Sequence, residues 1–300
     1  MQYIKLAEDL KFSRIIHGLW RLADWNLSTN DTQTLIEQCL DRGITTFDHA
    51  DIYGNYSCEK LFGQALAQKP SLRESMQLVT KCGIKLTSDK YPERKINFYD
   101  TSKEHIINSA NESLKNLNTD YIDVLLLHRP DPFMDPQEVA DAFIQLKEEG
   151  KVRYFGVSNF KRSQFDLLQS FLPFSLITNQ IEVSPTYLNH FEEGTIEQCQ
   201  QHKIAPMAWS PLGGGSIFTA EDERSIRVRN KLTEIGEEIG AKSLDQVVYA
   251  WLLAHPATIM PIVGSGKMNR IDVAIQALDL KVNRMQWFQI LEASKGRPVD

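Results

Sequence analysis

Short apolar runs bounded by turn residues alternate along the chain with longer stretches whose apolar residues recur three and four positions apart. The runs read as strands at 15–20, 44–47, 77–80, 122–127, 152–157, 176–183, 205–209 and 258–263. Between them a helix is predicted from Asp31 as cap, with Leu35, Ile36, Cys39 and Leu40 on one face and Gly43 as stop. Others start at Ser57, with Leu61, Phe62, Ala65 and Leu66, and at Ser102, with Ile106, Ala110, Leu114 and Leu117. Asp135-Pro136 opens a helix that Gly150 closes, Phe165, Leu168 and Phe171 mark the next, and Asn189 caps one reaching Gln201. Val228, Leu232, Ile235 and Ile239 make a helix that Gly240 stops; Ser243 with Gln246 forms a capping box for another through Trp251, and 271–293 is helical again. Residues 2–14 alternate weakly around Glu8-Asp9, as a hairpin able to plug a barrel end, and 83–101 reads as a long polar loop. Strand and helix in strict alternation fit an α/β fold, a (β/α)8 TIM barrel with an N-terminal β-hairpin and extra C-terminal helices, and 1–300 is read as one domain.

Four of the strands run directly into polar residues: Asp48, Lys81, His128, and the pair Ser158-Asn159. In a parallel barrel these strand ends share the face where chemistry collects. A net charge of -6 and a pI near 5.7 argue against nucleic acid or an anionic membrane as the main partner. The four cysteines are far apart with no Cys-x-x-Cys pair, so neither a zinc site nor a disulfide framework is indicated. The first residues lack the apolar core of a signal peptide, so a cytoplasmic protein is expected.

A tyrosine near Asp48 and Lys81, such as Tyr53, is a candidate general acid, because an adjacent ammonium stabilises the phenolate and lowers the tyrosine pKa. Moving a phenol from about 10 to about 7 takes roughly 4 kcal/mol, which is about the attraction of one charge at about 4 Å when the effective dielectric is near 20. Asp48 would keep Lys81 charged and oriented while cancelling part of its field, and His128 can hydrogen-bond a substrate oxygen or relay a proton. The group would suit carbonyl reduction. Each residue also has a plainer reading: Asp48 and Lys81 as a structural ion pair, Tyr53 as a packing tyrosine, His128 as a satisfied barrel histidine.

Three spaced motifs carry a resemblance. Asp48-x-Ala-x-x-Tyr53-Gly, Leu114-x-x-Leu117-x-x-Asp120-Tyr-Ile-Asp123-x-x-x-x-His128-Arg-Pro-Asp131 and Gly150-Lys-Val-Arg153-x-x-Gly156-Val-Ser-Asn-Phe160 resemble those of the aldo-keto reductases, in their bacterial YdhF-like branch, over nearly the full length. The resemblance implies an oxidoreductase with Tyr53 as acid, Asp48 and Lys81 as its tuners, and His128 as orienter of the carbonyl. It also implies NADPH in an extended groove; no Gly-x-Gly-x-x-Gly follows a strand, so a Rossmann site is not supported. Ser158, Asn159 and Gln180 would hold the nicotinamide carboxamide, and Trp209 would stack on the ring where most relatives have tyrosine. Ser210, Pro211, Leu212, Gly213 and Gly214 would approach the diphosphate. Gly264, Ser265, Lys267 and Arg270, near a helix start, suit a 2′-phosphate because donors, charge and dipole converge there. Val273-Ala274 replaces the Glu-Asn of many relatives, which puts side-chain contacts to adenine in question. Trp20, Arg21, Trp25 and Tyr56 are expected around an aromatic-lined pocket for a small-molecule carbonyl substrate.

Two rival readings are a cofactor-binding redox-sensing interaction protein with little turnover and a metal-dependent hydrolase built on Asp48, His49, Asp51 and His128. A Schiff-base aldolase using Lys81 is a third. Oligomeric state, monomer or weak dimer, and the physiological substrate are not encoded in any of these motifs.

Overall fold

The computed structural model describes residues 1–299. Two antiparallel strands open it, β1 (Tyr3–Ala7) and β2 (Leu10–Ser13), and β3 (Ile16–Gly18) and β4 (Thr46–Asp48) follow. Next come β5 (Gln77–Cys82), β6 (Ile84–Lys85), β7 (Phe98–Tyr99), β8 (Ile122–Leu127) and β9 (Val152–Ser158). β10 (Asn179–Glu182), β11 (Met207–Trp209) and β12 (Met260–Val263) complete the set. Parallel pairing in the order β3-β4-β5-β8-β9-β10-β11-β12, with β12 returning to β3, closes a barrel. The expected (β/α)8 architecture is therefore present, with helices in the connections.

The hairpin β1–β2 closes the amino-terminal end. Leu10 and Phe12, both fully buried, join Ile16, Val79, Val124, Leu126, Met207 and Met260 in one apolar cluster inside the barrel. Burying each such side chain is worth about 1.5–3 kcal/mol, so the plug adds directly to barrel stability. The opposite end is left to the strand-end polar groups. Outside the barrel three further clusters seat the helices, and at Gly63 an added Cβ would stand 2.0 Å from the Asn116 carbonyl, so only glycine lets helices Cys58–Gln68 and Lys103–Leu117 approach this closely.

Several local expectations change. Helix Thr29–Asp41 is capped by Ser28, whose Oγ accepts from the Asp31 amide, while the Asp31 carboxylate accepts from Ser28: the aspartate is the third residue of a capping box. At Leu244–Leu253 the anticipated box is missing, because the Gln246 side chain turns to accept from the Lys242 amide and Ser243 makes no cap bond. Asn189 opens a short turn, Asn189–Glu192, and Gly194 at φ 80 separates it from helix Thr195–Gln201. Helix Arg162–Gln169 ends before Phe171, which is exposed. Segment 83–101 is not a bare loop: β6 and β7 pair in antiparallel register, Ile84 with Tyr99 and Lys85 with Phe98.

Candidate active site

Asp48 ends β4, level with Val79 of the neighbouring β5, and Lys81 stands two residues further on, so adjacent strand ends deliver a carboxylate and an ammonium to one place. The Lys81 ammonium is wholly enclosed. It donates to both Asp48 oxygens at 2.8 and 2.9 Å, to the His49 carbonyl at 2.7 Å and to the Tyr53 hydroxyl at 3.0 Å. From β10, diametrically across the barrel, Gln180 Nε2 donates to Asp48 Oδ1 at 2.8 Å. His128, just beyond β8, sets its ring edge to face against Tyr53, with 5.8 Å between centroids. The four sequence-derived catalytic candidates thus converge on one spot.

Tyr53 is offered by an unusual turn. Gly54, Asn55 and Tyr56 follow it at φ 57, 52 and 61, all left-handed, a conformation that costs non-glycine residues about 1–2 kcal/mol each. The β6–β7 excursion holds this turn. Lys90 Nζ donates to the Asn55 and Tyr56 carbonyls at 2.8 and 3.2 Å, while Arg94 Nη1 and the Leu86 amide donate to the Tyr56 hydroxyl at 2.8 and 2.9 Å.

Removal from water raises the Tyr53 pKa; Lys81 pulls it down, but Asp48 opposes that pull and the net direction is upward. The expectation of a lowered phenol is therefore corrected for this geometry, because desolvation outweighs a field that Asp48 partly cancels. For Lys81, burial acts downward, but the attraction of Asp48 and the Tyr53 hydroxyl wins and the ammonium is held charged. Burial, then Lys81 and Arg129, drive His128 well below its ordinary value, so it is a neutral imidazole, and its enclosed Nδ1 has no partner among the described residues.

Behind the tetrad lies a carboxyl pair that the sequence did not single out as a pair. Ser109 Oγ donates to Asp51 Oδ2 at 2.9 Å and Thr80 Oγ1 to Glu59 Oε1 at 2.6 Å. Burial, helped by Glu59, pushes Asp51 up to about 8, and burial raises Glu59 as well. His49 packs edge-on against Phe62 at 4.5 Å. Asp48, His49 and Asp51 therefore point to three different surroundings, and among the described residues no group of three potential ligands gathers for a metal.

A groove of about 930 Å³ runs over these groups. Trp20, Arg21, Asp48, Tyr53 and His128 line it, as do Ser158, Asn159, Gln180 and Trp209. It continues past Ser210, Pro211, Leu212 and Gly214 to Gly264, Ser265 and Arg270. Asn159 ties the middle together: its Oδ1 accepts from Trp209 Nε1 at 3.0 Å and its Nδ2 donates to Ser158 Oγ at 2.8 Å. Gly213 and the exposed Lys267 stand beside the groove, Lys267 at the start of helix Met268–Gln276.

Two expected pocket walls lie elsewhere. Trp25 packs under the strand-eight loop, where a Cβ on Gly266 would come within 2.7 Å of its ring, and Tyr56 faces the β6–β7 excursion. In their place Ile52, Ile84, Arg129 and Phe218 line the groove. Ile52 and Arg129 adjoin Tyr53 and His128 in sequence, and that adjacency was the available signal; nothing local marked Phe218.

A barrel with this tetrad at its carboxyl end and a long groove above it is that of a nicotinamide-dependent oxidoreductase. The chain belongs to the aldo/keto reductase family, whose model matches residues 14–295. It is 60% identical over 296 residues to the uncharacterized oxidoreductase YcsN of Bacillus subtilis (strain 168), covering 99% of each chain. Oxidoreductase YdhF of Escherichia coli (strain K12) is 52% identical over 300 residues, 100% of this chain and 99% of the relative. The 6-dehydroglucose reductase of Agrobacterium fabrum (strain C58 / ATCC 33970) is 41% identical over 300 residues, with both chains fully covered. No helix among the described residues is long and apolar enough to cross a membrane.

Proposed function

We propose that the protein reduces an aldehyde or ketone to an alcohol with NADPH, with Tyr53 as the general acid. The observation that carries this reading is the 3.0 Å hydrogen bond from a fully buried Lys81 ammonium to the Tyr53 hydroxyl. A raised tyrosine stays protonated at neutral pH, ready to donate, and the ammonium stabilises the phenolate left behind. Neutral His128 donates a hydrogen bond that orients the carbonyl oxygen without competing for its proton. When bound, NADPH supplies the hydride.

The residues present fit that cofactor. Asn159 and Ser210 sit at φ 60 and 48 at the ends of β9 and β11, strained backbone of the kind found where a ligand must be cradled. Ser158, Asn159 and Gln180 offer amide and hydroxyl groups for a carboxamide, and Trp209 offers a ring face. Lys267 and Arg270 lie at the start of helix Met268–Gln276 with no salt bridge among the described residues, as suits a 2′-phosphate. The name of the Agrobacterium relative, a reductase of a dehydro-sugar, supports carbonyl reduction.

The test is Tyr53→Phe assayed with NADPH and aldehydes alongside a tryptophan-fluorescence titration of cofactor. Turnover should fall by roughly 100-fold or more while the cofactor still quenches fluorescence at the same concentration. Full turnover in the variant refutes the assignment, and binding without turnover toward any carbonyl in the native protein favours the redox-sensing reading instead.

A further inference from the structure

Beyond helping to keep His128 neutral, Arg129 has no role in the chemistry described so far. It directly follows His128, lines the groove and is half-buried, with its guanidinium carbon 5.5 Å from the centre of the Trp209 ring. The other arginines withdrawn from water are held by acceptors: Arg73 meets Asp123 at 2.8 Å, Arg42 meets Asp272 at 2.6 Å, and Arg14 donates to the Ile259 and Leu253 carbonyls at 2.7 and 3.1 Å. Arg129 makes no salt bridge or hydrogen bond among the described residues. The charged and titratable groups around it are Tyr53, His128 and Glu182; Glu182, at the end of β10, feels its field but does not reach salt-bridge distance. Arg21 adds a second guanidinium with no salt bridge among the described residues to the wall, exposed and 5.2 Å from the centre of the Trp20 ring.

An unpaired cation drawn partly out of water is costly unless a ligand completes it, and stacking on an aromatic face recovers only part of that cost. A guanidinium over the ring makes no hydrogen bond to it, so its planar fork of donors is left for a carboxylate or phosphate. Its neighbours mark the substrate end of the groove. The strand-eight loop, with Gly264, Ser265 and Arg270, contributes a separate part of the wall.

Resting on the reductase reading above, we propose that Arg129 anchors an anionic group on the substrate, so that the preferred substrates are small aldehydes or ketones bearing a carboxylate or phosphate. Against the protein's overall charge of -6, these two guanidinium groups on the groove wall are the feature that would attract such compounds.

The experiment compares kcat/KM within two pairs, 4-oxobutanoate against pentanal and glyceraldehyde 3-phosphate against glyceraldehyde, for native protein, Arg129→Gln and Arg129→Lys. A ratio within one sample is independent of the fraction of folded enzyme. The native ratio should favour at least one anionic member by about 10- to 100-fold, the worth of a charge-assisted hydrogen bond. The pair showing the preference distinguishes carboxylate from phosphate. The ratio should collapse toward unity in Arg129→Gln, mainly through KM, and survive in part in Arg129→Lys, which keeps the charge but loses the fork. Equal reduction of both members by the native protein, or a preference that survives Arg129→Gln, overturns the proposal alone. A native protein inert toward all four aldehydes overturns it, and inertness toward ketones as well overturns the reductase reading.

Discussion

Lys81→Met separates the two things this lysine can be, an ion-pair partner and an electrostatic catalyst. At 3.0 Å and an effective dielectric near 20, a unit ammonium stabilises a full phenolate charge by about 5 kcal/mol. The transition state carries only part of that charge and Asp48 opposes it, so about 3 kcal/mol is a reasonable net figure, roughly 100-fold in rate. Losing the ammonium also strands the Asp48 carboxylate with Gln180 Nε2 as its remaining side-chain donor, at a cost of about 3–5 kcal/mol to folding. The double variant Lys81→Met/Asp48→Asn removes the stranded charge. Urea denaturation should show the single variant strongly destabilised and the double variant restored by about half or more. NADPH-dependent aldehyde reduction should stay at least 100-fold down in both. Recovery of turnover to within about tenfold of the native rate in the double variant, on kinetics alone, would mean Lys81 is structural and the mechanism is wrong.

Replacing Lys267 and Arg270 together with alanine should weaken NADPH binding by about 10-fold or more and leave NADH nearly unaffected; an unchanged preference in fluorescence titration removes the phosphate site from that loop. Asp51 is an acid whose folded value, about 8, lies above its unfolded one, so the stability it contributes is full below pH 4 and lost as pH rises through 8. Asp51→Asn should therefore gain stability relative to the native protein by up to about 1.4 kcal/mol per pH unit across that window, and a flat difference in denaturation curves from pH 5 to 8 contradicts it. Arg94→Ala with Lys90→Ala should release the left-handed turn after Tyr53, lowering kcat several-fold with little change in cofactor affinity; an unaltered kcat would show that the turn holds itself.

The polar strand ends were legible because a parallel barrel puts them all on one face, whatever the rest of the sequence does. Asp48, Tyr53, Lys81 and His128 could be assembled that way without any long-range contact being known. Trp25 and Tyr56 could not be placed. Both follow strand ends, as pocket residues do, yet one tucks under Gly266 and the other binds Arg94, partners far along the chain. The excursion at 83–101 hid its pairing for a related reason: β6 and β7 have two residues each, too few for a period-two pattern to stand out.

By itself the sequence determined the order of elements, the barrel and the identity of the tetrad, since periodicity and spaced motifs are properties of near neighbours along the chain. The tertiary structure decided what those groups are electrically. Gln180 reaches Asp48 from across the barrel, Tyr53 is raised rather than lowered, and Arg129 has no salt bridge among the described residues. Each of these depends on which charges lie within a few ångströms and on how much water is excluded between them, and both are set by strands brought together from opposite ends of the chain.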